Sequence, residues 1–367
     1  MPWPPCSRAL FAANEWIVNH SAPCRLRGHL EIILHHEVTA WRRSRRAPQR
    51  GFATIDKMTV ANGSKHWIAR SMAQVSAWVL LLVASSFAGP SGSSQGAAEL
   101  VRKAVQNESG ASTENGAHFL FRGTKTTPRG STTRIYIETK DATAGLVIAY
   151  DGHPLTPQQR RDEESRVERF VNNPEELKKK RDQERDNTER TTRILRALPE
   201  AFLFEYAGEE HGGDGVGHAG DPLIRLRFRP NPNYQPPSRV EEVLAGMQGY
   251  VLIDPVGYRI AKIDGTLFRE VGFGWGILGH LDRGGRFIVQ QQEVGDHSWE
   301  VSGMTLKFTG KIMLVKSLNL NSTEVFGNFR RVPANLTFAQ ALELLKQEES
   351  TTTAETTERT PGTLAPK

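Results

Sequence analysis

Cysteine is nearly absent from this 367-residue sequence, which contains only two. Cys6 and Cys24 both lie near the amino terminus, so residues 25–367 contain no thiol. This absence excludes disulfide bonds, cysteine-ligated metals and cysteine nucleophiles from nearly all of the chain.

Long hydrophobic runs are also lacking. The most apolar stretch, residues 75–83, follows Arg70 and precedes the sequence SFA at 86–88. It is short against the roughly 20 residues that a membrane-spanning helix needs, and its layout is that of a secretory signal peptide. We therefore predict a cleaved signal peptide at residues 58–88 and export to the periplasm. Retention of the apolar stretch as a membrane anchor is the alternative.

Residues 1–57 precede this signal and are rich in Pro, Trp and Arg without sustained periodicity. We interpret them as a doubtful N-terminal extension. Met58 is a better start than Met72, because the signal peptide then includes the basic residues Lys65 and Arg70.

Residues 89–367, which remain when the extension and the signal peptide are set aside, have almost no net charge. The whole chain has a formal charge of +6, but residues 1–57 hold nine Lys/Arg against four Asp/Glu. Residues 58–88 add Lys65 and Arg70, which leaves 36 Lys/Arg against 37 Asp/Glu in residues 89–367. The exported part is nearly neutral, and this argues against nucleic acid as a partner.

The exported part is predicted to form a single domain at residues 97–348. A Gly/Ser-rich linker at 89–96 precedes it, and a Thr-rich tail at 349–367 follows it and is expected to be disordered. Charges of both signs dominate residues 156–198. These predict an inserted helical hairpin, because Pro174 interrupts the helical pattern.

Apolar and polar residues alternate through most of the domain. In residues 223–229, arginines alternate with Ile224, Leu226 and Phe228, which is typical of an antiparallel strand with one buried face. Strands are predicted at residues 119–126, 132–139, 145–150, 201–206, 223–229, 249–254, 259–264, 286–294, 299–308, 311–320 and 324–332. With helices at 97–107 and 337–348, the pattern predicts an α+β fold: a large curved antiparallel sheet, an unclosed β-barrel of about eleven strands, with helices packed on one side and the charged hairpin inserted.

Three segments carry a resemblance to a known family. They are residues 249–265 (GYVLIDPVGYRIAKIDG), 299–301 (WEV) and 326–330 (FGNFR). The first segment reads as a strand, an Asp-Pro turn and a second strand. The other two read as a strand that contains Trp and a later strand that ends in an aromatic residue and Arg. This order resembles that of periplasmic carriers of the LolA/LolB-like outer-membrane lipoprotein-sorting type. The resemblance covers residues 97–332 and implies a half-barrel with a helical lid over an apolar cavity that takes up acyl chains. The charged insertion departs from that pattern.

One loop concentrates possible metal ligands. Residues 209–221 contain Glu209, Glu210, His211, Asp214, His218 and Asp221. The five glycines of this loop make it costly to order those side chains around an ion. We therefore predict no metal site there.

Alternating glycines occur at residues 272–276, but the helix and ribose-binding acid of a nucleotide fingerprint do not follow them. We predict no cofactor. The glycines indicate a bent strand or a turn, and the interleaved aromatics Phe273 and Trp275 are candidate residues of a ligand cavity.

Two Asp/His pairs could in principle serve as acid and base. Asp151 with His153, and Asp296 with His297, both lie in turn sequences where Asp and Gly serve backbone geometry. We predict no catalytic residues and no enzymatic activity.

Together these observations predict an exported, non-enzymatic binding protein that holds a lipid or a lipoprotein acyl chain in a half-barrel cavity. The alternative is an envelope protein-interaction module that docks through the charged hairpin. A hydrolase is the third possibility. The partners expected are a hydrophobic ligand or lipoprotein, and an envelope protein under the alternative.

Overall fold

An antiparallel sheet of 13 strands is the framework of this computed structural model. The structure describes residues 94–114, 117–273, 279–312 and 316–358. The strands are β1 (His118–Thr127), β2 (Gly130–Ile137), β3 (Ala144–Tyr150), β4 (His153–Pro154), β5 (Phe202–His211), β6 (Pro222–Pro230), β7 (Met247–Asp254), β8 (Arg259–Leu267), β9 (Val271–Phe273), β10 (Gly279–Leu281), β11 (Arg286–Glu293), β12 (Trp299–Ile312) and β13 (Lys316–Val332).

The described sheet is open. Its strand order is β4-β3-β2-β1-β13-β12-β11-β8-β7-β6-β5, and the end strands β4 and β5 do not pair with each other. β9 and β10 form a short ribbon that joins the sheet through β12. The predicted α+β class, with a large unclosed antiparallel sheet, is confirmed.

Five α-helices accompany the sheet in the described residues. They are α1 (Ser94–Glu114), α2 (Pro157–Asn172), α3 (Pro174–Ala201), α4 (Arg239–Glu242) and α5 (Phe338–Glu358). A turn of 3-10 helix, Val243–Gly246, follows α4 directly.

The predicted hairpin consists of α2 and α3, and local capping explains where it begins and bends. Thr156 and Gln159 form a capping box, in which each side chain accepts a hydrogen bond from the backbone N–H of the other residue. The Asn173 side chain accepts from the N–H of Glu175 at 3.1 Å. Pro174 takes the first helical position of α3, where its missing N–H costs nothing.

The helices lie over both faces of the sheet, whereas the sequence predicted them on one side. Leu120 of β1 and its partner Ile137 of β2 pack in one cluster with Val167 of α2 and Leu342 of α5. The next residue, Phe121, points to the opposite face, because side chains alternate along a strand. We call the face of Phe121 the inner face. The strand registers carry it across the sheet to β5–β8, where α1 and α3 cover it.

Helix α3 connects the hydrophobic clusters of the two faces. Leu177 near its start packs with the cluster under α2 and α5, and Leu195 near its end packs with α1 and the inner face. Between them, the fully buried Glu184 accepts the N–H of Thr143 at 3.1 Å and pairs with Lys180 at 2.8 Å. The helix is therefore held at both ends and near its middle.

The carboxyl-terminal helix is longer than the sequence predicted. α5 continues to Glu358, so residues 349–358 of the predicted disordered tail are helical. Glu349 is buried and pairs with Arg160 of α2 at 3.0 Å, which fixes α5 beyond the predicted domain end. Residues 359–367 lie outside the described residues.

Other predicted boundaries also change. Residues 316–320 of the strand predicted at 311–320 and the strand predicted at 324–332 belong to one long strand, β13, which pairs with β12 and then with β1. Residues 311 and 312 end β12. α1 begins at Ser94, inside the predicted linker at 89–96. The predicted extension at 1–57 and signal peptide at 58–88 lie outside the described residues. Within the described residues, no helix combines the length and the apolarity needed to cross a bilayer.

The close approach of β7 and β8 can be tested at Gly249. A Cβ there would lie 1.9 Å from the carbonyl oxygen of Asp264, whereas a Cβ at Gly327 in β13 would meet no atom within 4 Å. We expect Gly249→Ala to lower the free energy of unfolding by about 1–3 kcal/mol, because the backbone must shift to admit the methyl group. Gly327→Ala is the matched control and should stay within about 0.5 kcal/mol. Urea denaturation measures both, and equal stabilities would contradict the described strand contact.

Candidate functional site

A cavity of about 410 Å³ lies between the inner face and the helices α1 and α3. Of its 23 lining residues, 20 are apolar. The three polar ones, Asn187, Arg190 and Thr191, all lie on α3. The cavity is therefore an apolar chamber whose polar groups are confined to a short stretch of one helix.

The sheet supplies the floor of this cavity. Val251, Ile263 and Val289 are paired across β7, β8 and β11, so their side chains form a row on the inner face. Phe287 and Leu306 form a second row across β11 and β12. Ile263 and Phe287 are only half-buried although helices lie over this face. Such partial exposure beneath a covering helix is expected of side chains that face a cavity.

Aromatic rings close the cavity at the β5 edge. The ring centroids of Phe202 and Phe228 are 4.6 Å apart, and those of Phe202 and Phe204 are 6.3 Å apart with nearly perpendicular planes. Phe204 and Phe228 are themselves a register pair of β5 and β6. These contacts fix the rings, because tilted and edge-to-face arrangements are favourable for aromatic pairs.

Helix α3 forms the roof. Thr191, Leu195 and Leu198 recur at helical spacing and line the cavity from above. The Thr191 hydroxyl donates to the carbonyl oxygen of Asn187 at 3.0 Å, so this polar group is satisfied within the helix. The roof is thus almost as apolar as the floor.

Helix α1 is attached to the sheet beside α3 by a buried ion pair. Glu108 is fully buried, lies 3.0 Å from the Arg259 guanidinium and accepts the N–H of Ile260 at 3.1 Å. Gln291 donates to the carbonyl oxygen of Ile260 at 2.8 Å. Burial raises the pKa of the Glu108 carboxyl, and the Arg259 charge with the surrounding hydrogen bonds opposes that rise.

The short helix α4 and the 3-10 turn close a third side. Val240, Val243 and Leu244 contribute apolar side chains to the wall. Arg193 of α3 lies 3.9 Å from the buried carboxylate of Glu241 in α4. This ion pair links the roof of the cavity to its side wall.

The sequence-predicted cavity residues, Phe273 and Trp275, are only partly covered by the structure. Phe273 is the last residue of β9, and its backbone pairs with Gly279 of β10. Two residues further along β10, Leu281 lines the cavity. Trp275 and the side chain of Phe273 lie outside what the structure describes. Both candidates therefore remain predictions.

The residues that do line the cavity were not identified from the sequence. Alternation marked the strands, but it could not show which face of each strand is turned to the helices. That information lies in the register, because a shift of one residue exchanges the two faces.

The glycine-rich loop at 209–221 does not gather its carboxylates and imidazoles around one point in the described residues. Instead the loop folds back on the outer side of the sheet, where Gly217 donates its N–H to the carbonyl oxygen of Gln291 at 2.8 Å. Val216 packs there against a small apolar cluster that includes Trp299. The positive φ of Gly217 (67°) permits this path.

A group with metal-ligand geometry does occur elsewhere in the described residues. Glu270, His280 and Asp282 bring one potential ligand atom each within 4.8 Å of one another. The sequence did not suggest this group, because ten residues separate Glu270 from His280 and only the pairing of β9 with β10 brings them together.

Asp151, Asp296 and His297 lie in turns, and His153 begins the short strand β4. Asp151 accepts the N–H of Ser131 at 2.6 Å and has a positive φ of 50°. Asp296 and His297 also have positive φ values, 48° and 57°. Their side chains lie 3.4 Å from Arg331 and 3.5 Å from Glu293, respectively. These contacts stabilise turns and do not converge on a cleft.

Comparisons with known proteins give little. No protein-family model matches the chain, and no curated protein sequence matches it. Among solved structures, the chain is similar to a DUF1329 family protein from Desulfovibrio piger, with 9% sequence identity and a TM-score of 0.22. The alignment covers 67% of this chain and 95% of that one.

The Glu108 anchor predicts a specific pH dependence. The carboxyl has a folded-state pKa above its ordinary value of 4.5, so near this pH the folded state binds more protons than the unfolded state. Its contribution to stability is present below about pH 4.5 and is lost as the pH rises through the folded-state pKa. We expect the unfolding free energy of the unchanged protein to fall over this window more steeply than that of Glu108→Gln.

Urea denaturation across a pH series measures this difference in slope. Glu99→Gln is the control, because Glu99 is an exposed acid on the same helix. Its pH profile should parallel that of the unchanged protein. A Glu108→Gln profile that is also parallel would show that burial does not perturb Glu108.

Proposed function

We propose that this chain is an exported, non-enzymatic binding protein that holds one hydrophobic ligand, a lipid or a lipoprotein acyl chain, in the cavity under α3. The observation that carries the proposal is the apolar chamber itself. Its volume of about 410 Å³ falls within the range of about 300–1,000 Å³ common for small-molecule sites. Core packing normally leaves few voids larger than a water molecule, so a chamber of this size supports a proposal of ligand binding.

The energetics favour an acyl chain as the occupant. Each methylene that leaves water for an apolar environment contributes about 0.8 kcal/mol. The floor rows formed by Val251, Ile263 and Val289 and by Phe287 and Leu306 offer such an environment without any polar side chain. A polar substrate would find no hydrogen-bonding partner along this floor.

The resemblance of residues 97–332 to LolA/LolB-like carriers supports the same ligand class, and the signal-peptide pattern at 58–88 supports export. Two charged pairs beside the cavity, Arg193 with Glu241 and Glu108 with Arg259, join elements of the fold. Such pairs serve positioning, and no acid and base among the described residues converge on the chamber. We therefore propose binding without catalysis.

A protein-interaction module that docks through the α2–α3 hairpin is the second candidate. It is favoured by the density of exposed charge on α3, where Arg185 lies near Asp182, Asp186 and Glu189 at 3.0–3.8 Å. The hairpin nevertheless packs within the domain, because Leu177 and Leu195 contact two different hydrophobic clusters. A docking module also needs no cavity, so the chamber favours ligand binding.

The test is to fill the chamber. Ile263 lines the cavity, and Ile288 on the paired strand β11 is an equally half-buried isoleucine that points to the opposite face. We expect Ile263→Trp to reduce binding of an environment-sensitive fluorescent fatty acid by about tenfold or more, because the added rings occupy the space that the chain needs. Ile288→Trp is the matched control and should bind the probe as the unchanged protein does.

Fluorescence titration gives the dissociation constants, and circular dichroism confirms that both variants fold. Equal binding by the two variants would place the ligand elsewhere and contradict the proposal. Absence of probe binding to the unchanged, ligand-stripped protein would favour the interaction module.

A further inference from the structure

Arg190 both lines the cavity and is exposed to solvent, so the cavity meets the protein surface beside this residue. Among the described lining residues, Arg190 alone is exposed, and the others are buried or half-buried. A side chain that both lines a chamber and meets solvent marks the mouth of that chamber. An arginine suits this position, because its aliphatic stem packs along apolar surface while its guanidinium stays in water.

Arg190 is also the only charged residue in the described wall. The acids nearest to it in sequence are engaged elsewhere, since Arg185 lies 3.5 Å from Asp186 and 3.8 Å from Glu189. The next basic residue along the helix, Arg193, faces the buried Glu241 at 3.9 Å. The Arg190 side chain makes no ion pair or hydrogen bond with the part of the chain that the structure describes.

We propose that the ligand is a single-chain amphiphile with an anionic head, a carboxylate or a phosphate, whose head is bound by Arg190 while its tail occupies the chamber. This inference rests on the proposed function and specifies the chemistry of its ligand. The guanidinium presents a planar fork of N–H donors that matches the oxygens of a carboxylate or a phosphate. The apolar side chains of the floor are complementary to the tail of such an amphiphile, and the cation at the mouth is complementary to its anionic head.

The geometry also limits where the head can lie. The described residues of the floor beneath α3 include no cation, and the polar groups of Asn187 and Thr191 lie one turn or less from Arg190 on the same helix. An anion placed deeper in the chamber would lose its hydration without a counter-charge, which is costly. The head therefore stays at Arg190, and the tail enters first.

The experiment compares three ligands with the same tail: dodecanoate, dodecyl phosphate and dodecanol. Isothermal titration calorimetry is performed on the unchanged protein, on Arg190→Gln and on Arg196→Gln, at a pH where the carboxylate is ionised. Arg196 is the matched control, because it is an exposed arginine on the same helix that does not line the cavity. Since Arg190 is exposed, its replacement should leave the fold intact.

We expect the unchanged protein to bind at least one of the two anions about tenfold more tightly than dodecanol, in line with the strength of hydrogen bonds to charged groups. The preferred anion identifies the head as a carboxylate or a phosphate. Arg190→Gln should remove the preference by weakening anion binding while leaving dodecanol binding unchanged. Arg196→Gln should retain the preference.

Two results would overturn the inference while leaving the proposed function in place. One is equal affinity of the unchanged protein for dodecanol and both anions, and the other is a preference for the anion that survives in Arg190→Gln. If none of the three ligands binds the unchanged protein, the proposed function itself fails. The dodecanol titration thus separates the two failures.

Discussion

The structure depends most on the way in which α3 is held over the sheet. This helix is fixed by Leu177 at one cluster, by Leu195 at another and by the buried Glu184 between them. Because α3 is fixed at these points, it cannot move closer to the sheet to fill all the space beneath it. Over β7, β8 and β11 the inner face stays apolar but is not filled, and this is where the cavity lies.

The same constraint explains why the neighbouring elements are tied by ion pairs. Glu108 with Arg259 attaches α1 to β8, and Arg193 with Glu241 attaches α3 to α4. Glu108 with Arg259 is a buried pair, and loss of one partner of such a pair is strongly destabilising because it leaves the other charge buried alone. The pairs therefore fix α1 against β8 and α3 against α4 beside the chamber.

The sequence predicted the class and most of the elements for identifiable reasons. Alternation in residues 223–229 revealed a strand with one buried face, and Pro174 correctly divided the charged hairpin into two helices. The carboxyl terminus was misjudged because Glu349 and its neighbours look solvated in the sequence, while the contact that buries Glu349 comes from Arg160, nearly two hundred residues earlier.

The candidate site was harder to predict, because it depends on pairing between distant strands. Nothing local to Val251, Ile263 or Val289 shows that these three side chains share one face, and only the register across β7, β8 and β11 brings them together. The path of the glycine-rich loop at 209–221 was equally hidden from the local sequence. Its carboxylates and histidines stood out, and the loop was predicted to hold no metal. In the structure the loop lies on the outer side of the sheet, where Val216 packs against a small cluster that includes Trp299.

The central claim is that the chamber under α3 is a ligand site and not a packing defect. Native mass spectrometry with lipid extraction, on the protein purified from its own host, tests this claim most directly. The account predicts one amphiphile per chain, extractable as a lipid with a carboxylate or phosphate head. Protein that leaves the host without any bound lipid, and that gains none when it is incubated with a host lipid extract, would contradict it.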